Sequence, residues 1–82
     1  MPTVTVRYFA GARAAAGRTE ETASAGRSLD DLLTELADRH GERLAGVLRA
    51  ASFLVDGVNC HDRRAPLPAG ATIDVLPPFA GG

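Results

Sequence analysis

Between Thr3 and Phe9 the chain alternates: Val4, Val6 and Tyr8 fall on one side, Thr5, Arg7 and Phe9 on the other. A period of two predicts a half-buried strand. Thr72 to Leu76 (TIDVL) repeats the pattern, with Ile73 and Val75 on one face and Asp74 and Leu76 on the other. Between these strands the period lengthens. Leu29, Leu32, Leu33, Leu36 and Ala37 recur at i, i+3, i+4, i+7 and i+8, one apolar stripe of an amphipathic helix. Ser28 is placed to cap it, Asp31 stands three residues on, and Asp30 and Asp31 suit the positive end of the helix dipole. Gly41 is a natural stop. Leu44, Val47 and Leu48 predict a further turn or two of helix before Ser52.

Shorter signals fill the gaps. Gly11 to Gly17 is alanine-rich and predicts one or two helical turns. Arg18 to Ala23 predicts a short polar strand at a sheet edge, followed by a turn at Ser24-Ala25-Gly26. Phe53-Leu54-Val55 and Val58-Asn59-Cys60 flank Asp56-Gly57, a strong hairpin signal. Pro66 to Gly70 marks another turn. One long helix must cover one face of a small sheet, which makes this an α+β two-layer domain. It spans residues 1–76, with 77–82 as a tail.

Composition narrows the function classes. Eighty-two residues make one domain near the lower size limit for independent folding. Nearly half are apolar, yet no run is long enough for a membrane span. The nine cations are dispersed against ten acids, so no basic stripe points to nucleic acid. All nine are arginine. A chain without a side-chain amine forms no Schiff base and accepts no lysine-linked conjugate. The single cysteine and the lack of a basic-then-apolar leader at Met1-Pro2-Thr3-Val4 fit a reducing cytoplasm.

Internal chemistry is sparse. Cys60 and His61 are adjacent on an expected strand, so they point to opposite faces and do not make a nucleophile pair. His40 sits at a helix C-terminus, where a cation suits the dipole. Two histidines and one cysteine, scattered, outline no metal site. Gly11 to Gly17 lacks the Lys-Ser/Thr of a phosphate loop. Asp30-Asp31 and Arg63-Arg64 read as solvated charge, the arginines also as candidates to dock a partner. Phe9 and Leu76 are out of phase with the core. On neighbouring strands they would form an exposed apolar patch of the kind that marks partner surfaces.

The patch lies at the base of the segment PPFAGG. Pro77 and Pro78 hold the chain extended as it leaves the last strand. From Pro77 to Gly82 it reaches roughly 20 Å at about 3.3–3.6 Å per residue. Gly81 and Gly82 carry no side chain, so a terminal carboxylate at Gly82 can enter a channel that admits little beyond backbone. Such a carboxylate is a poor electrophile, and no residue of the chain activates it. The activating enzyme must be another protein.

The segments VRYFAGARAAAG, FLVDGVN, PLPAGATIDVLPP and PPFAGG together resemble the MoaD/ThiS family, and within it the MoaD-type small subunit of molybdopterin synthase. The resemblance spans the chain; the Pro-Pro before Gly-Gly sets it apart from thiamine-type carriers. It implies a β-grasp, ubiquitin-like fold with the first and last strands parallel at the sheet centre. It also implies that an E1-like enzyme adenylates Gly82 with ATP, that a sulfurtransferase or cysteine desulfurase delivers sulfur, and that the resulting thiocarboxylate serves the large synthase subunit in molybdenum cofactor biosynthesis. The small subunit is then non-catalytic, holds no cofactor of its own, and joins the large subunit in a heterotetramer. Gly82 is the carrier and Gly81 permits threading. Pro77 and Pro78 aim the tail, Phe79 and Ala80 line its passage, and Phe9 and Leu76 dock partners. Family members commonly place an apolar residue near Asn59, so Asn59 is a departure. Sulfur carriage for thiamine, cysteine or tRNA thiolation, and ubiquitin-like modification of lysines, are the alternatives.

Overall fold

The computed structural model describes residues 2–78. The chain order is β1 (Thr3–Tyr8), α1 (Gly11–Ala16), β2 (Glu20–Ser24), α2 (Leu29–His40), α3 (Glu42–Ala50), β3 (Ser52–Val55), β4 (Val58–Asn59) and β5 (Thr72–Leu76). The five strands form one sheet in the order β2-β1-β5-β3-β4. β1 and β5 run parallel, and every other neighbouring pair is antiparallel. This is the expected β-grasp arrangement.

Register sorts each strand into two faces. Val4, Val6, Tyr8, Phe53, Ile73 and Val75 turn inward and are at most 2% exposed. Leu29, Leu32 and Leu36 of α2, and Leu44 and Leu48 of α3, close over them. Each buried leucine contributes roughly 1.5–3 kcal/mol relative to an exposed one, so this layer supplies most of the stability of a small domain.

The helix boundaries have local causes. Ser28 is extended, and its Oγ accepts from Asp31 N–H at 3.1 Å. Gly41 ends α2 at φ 98°, a conformation costly for a residue with a Cβ, and α3 begins at the next residue. The α3 helix is nine residues long, more than the turn or two expected, because Leu44 and Leu48 both find the core. It packs against both α1 and α2, so the second layer is built from more than the one main helix.

Two connections also matter. Asp56 and Gly57 have φ of 51° and 83°, both positive as a two-residue hairpin needs, and Asp56 Oδ1 accepts from Thr72 N–H at 2.9 Å. The long return from β4 to β5 is tied down rather than free. Arg63 C=O accepts from Asp30 N–H at 3.0 Å, and Leu67 N–H donates to Arg27 C=O at 2.8 Å. The Arg63 guanidinium lies 4.9 Å from the Phe53 ring centre, so this arginine covers the core edge and is not simply solvated.

Candidate functional site

The central parallel pair fixes where the tail leaves the body. Thr5, Val6, Arg7 and Tyr8 stand opposite Thr72, Ile73, Asp74 and Val75. Phe9 N–H still donates to Val75 C=O at 3.3 Å, so the ladder runs one residue beyond β1. Continuing the register sets Phe9 beside Leu76 on the outer face, as the patch required. Both are half-buried rather than openly exposed. Arg7 covers part of Phe9, its Cζ lying 5.6 Å from the ring centre. Val58, 67% exposed, is the one large hydrophobic residue fully open among the described residues.

Ser52 of β3 faces Leu76 from the other side, so the last residue of β5 is held by neighbours on both flanks. Pro77 is half-buried and Pro78 exposed. Neither has an N–H to extend the ladder, and the sheet therefore ends there. Asn59, expected to depart from the family pattern, lies further along the outer face, opposite Leu54 and exposed. Phe79, Ala80, Gly81 and Gly82, the residues expected to thread and carry, lie outside the described residues.

A second cluster sits beneath the sheet, and the sequence reading did not identify it. Glu21 of β2 is 8% exposed and points inward with Ala23. Its Oε2 accepts from the Tyr8 hydroxyl at 2.5 Å and from His40 Nε2–H at 2.5 Å, while Oε1 accepts from Arg39 Nη1 at 2.6 Å. Burial alone would raise the Glu21 pKa, but these three hydrogen bonds, with the charge of His40, hold it below the ordinary value. An ionised Glu21 has no proton to give, so His40 Nε2 carries the hydrogen. Burial, then the bond to Glu21 and its charge, push the Tyr8 phenol well above its usual range, so it remains a donor. Arg39 continues to Glu35 and Glu35 to Arg27. The available signal was the phase of β2: Glu21 shares the parity of Ala23, not that of Glu20 and Thr22.

The remaining candidates are quiet. Cys60 is free and half-buried, just past β4, with Sγ donating to Asp62 C=O at 3.5 Å. Among the described residues no group of His, Cys, Asp or Glu is arranged to hold a metal, and no helix is long and apolar enough to cross a membrane.

A ubiquitin-like body with its last central strand running into a Pro-Pro exit defines a class of small carrier proteins, generally non-catalytic in themselves. The ThiS family profile matches residues 6–82, and the chain belongs to that family, within the ubiquitin-like MoaD/ThiS group. No curated protein matches it. Solved structures do. A putative molybdopterin converting factor subunit 1 from Pyrococcus furiosus is 25% identical with a TM-score of 0.78, covering 96% of this chain and 100% of that one. Small archaeal modifier protein 1 from Methanosarcina acetivorans is 28% identical with a TM-score of 0.83, covering 100% and 98%. A chain in the complex of subunits 1 and 2 of molybdopterin-converting factor from Helicobacter pylori is 25% identical with a TM-score of 0.74, covering 98% and 99%.

Proposed function

We propose that this chain is the sulfur-carrying small subunit of a molybdopterin synthase. The observation that carries the reading is the tail's root: β5 leaves the sheet centre between Phe9 and Ser52 and passes directly into Pro77-Pro78. Similarity to a chain in a complex of subunits 1 and 2 of molybdopterin-converting factor supports a large-subunit partner. In this reading a Gly82 carboxylate oxygen attacks the α-phosphorus of ATP on an E1-like enzyme and pyrophosphate leaves. The outer sulfur of a persulfide, delivered by a sulfurtransferase or cysteine desulfurase, then attacks the acyl carbon and AMP departs. A thiol cleaves the resulting acyl disulfide, leaving the thiocarboxylate and a new disulfide. The thiocarboxylate enters the large subunit and gives its sulfur to the pyranopterin precursor. Phe9 and Leu76 dock the partners, Pro77 and Pro78 aim the tail, Phe79 and Ala80 line its passage, and Gly81 threads. The assembly is a cytoplasmic heterotetramer of two small and two large subunits, and ATP is bound by the activating enzyme alone.

The test is intact-mass analysis after co-expression with the activating and sulfur-delivering enzymes. The reading expects one terminal oxygen replaced by sulfur, and rescue of molybdoenzyme activity in a strain lacking its own carrier. A second reading, protein modification, draws support from the similarity to small archaeal modifier protein 1. Isopeptide-linked products without a thiocarboxylate would establish it instead. Sulfuration without rescue would assign the carrier to another thiolation pathway.

A further inference from the structure

The tail's root is not purely apolar. Arg7 and Asp74 face one another across β1 and β5 on the outer side of the sheet. Arg7 Nε donates to Oδ1 at 2.7 Å and Nη2 to Oδ2 at 3.0 Å, a fork-to-fork pair. Asp74 is 7% exposed, whereas the Arg7 side chain is 48% exposed. Both oxygens of Asp74 are occupied, and it offers little to an incoming protein. A guanidinium has five N–H donors. Two serve Asp74, and the others have no acceptor among the described residues. Glu20 stands opposite Arg7 on β2 but makes no ion pair with it. The hydrogen bond and charge of Asp74 raise the Arg7 pKa further, so Arg7 is a cation at every pH the fold survives. With Cζ 5.6 Å from the Phe9 ring, the cation is pinned at the tail end of the face.

Residues 7 and 9 are successive on this face, about 7 Å apart along the strand. A protein that covers Phe9 and Leu76 therefore covers Arg7. Burying the unmatched donors of a cation is costly unless acceptors are supplied. A carboxylate matches the planar fork and the charge together, which a lone carbonyl does not. We propose that Arg7 selects partners: the protein docked at the tail's root sets a carboxylate against its guanidinium, beside an apolar contact for Phe9 and Leu76. Asp74 is the positioning residue that holds the fork toward the partner. This inference rests on the reading that partners grip the tail's root.

The experiment measures affinity for the adenylating enzyme of the same organism by calorimetry at low and high salt, with a thermal melt of each variant. Exchanging the charges (Arg7→Asp with Asp74→Arg) keeps a facing ion pair but moves the cation one strand over. It should weaken binding at least tenfold and remove most of the salt dependence. Arg7→Lys keeps the charge and loses the fork; it should bind several-fold more weakly, with only a small drop in melting temperature. It serves as the decisive variant should the exchanged protein not fold. Variants that bind within twofold of wild type would overturn this inference alone. Wild-type protein that fails to bind would overturn the carrier reading as well.

Discussion

Glu21 is the most demanding residue of the body. It brings a carboxylate under the sheet and is tolerated because Tyr8, Arg39 and His40 together saturate it. Removing one partner of a buried ion pair typically costs roughly 3–5 kcal/mol. Glu21→Gln should fall near the lower end, since Arg39, 38% exposed in its side chain, can turn to water. Chemical denaturation measures that loss. The pH dependence has a definite sign. The folded-state pKa of Glu21 lies below its ordinary 4.5, so its contribution is present above that value. It is lost as pH falls through the lower folded-state value. Below about pH 4.5 the wild-type stability curve should therefore fall more steeply than that of Glu21→Gln. Ala10, the residue after Phe9, is a second strained point, at φ 48° and ψ −125°. Such conformations cost of order 1–3 kcal/mol in a residue with a side chain. Ala10→Gly should raise the denaturation midpoint, and an unchanged or lowered midpoint would count against strain there.

At the scale of elements, α2 depends on both its cap and its stripe. Ser28→Ala should cost about 1 kcal/mol, as loss of a serine N-cap generally does. Leu36→Ala should cost roughly 2–5 kcal/mol, a large part of a total on the order of 5–10 kcal/mol for a domain of this size. Urea titration of the two variants should rank them in that order. The elements were readable wherever one face is buried. The alternation in TVTVRYF and TIDVL set the faces of β1 and β5, and the leucine stripe set the inner face of α2. Where the reading fell short, the cause was pairing between distant strands. Arg7 and Asp74 lie 67 positions apart, and their bond follows only from parallel register. Glu21 reads as edge polarity until α2 places Arg39 and His40 above it. The length of α3 was underread because its glycine, Gly46, and short apolar spacing carry a weak helical signal.

For the molecule as a whole, the tail is read as chemistry from its residues, and the described residues place only its root. The proposed role of the Gly-Gly ending comes from its chemistry, and the parallel β1–β5 pair shows what stands at the base of Pro77-Pro78. Adding one residue after Gly82, or deleting Gly82, should leave the far-ultraviolet spectrum and melting temperature unchanged while abolishing thiocarboxylate formation. Intact-mass analysis reads the outcome, and sulfuration of either variant would refute the role given to Gly82. The chain has no lysine, so no side-chain amine is present to accept an isopeptide.

The placement of β5 also has a mechanical side. A partner that draws on the tail pulls along β5, which is hydrogen-bonded to β1 on one side and β3 on the other. Load along that axis shears two ladders at once, so many bonds must yield together. Load across an edge strand such as β4 would open them in succession, like a zipper. A load on the end of β5 thus meets both ladders together before the domain yields. A domain held by its N-terminus and Gly82 should resist far more force, in single-molecule extension, than the same domain pulled across the β3–β4 hairpin.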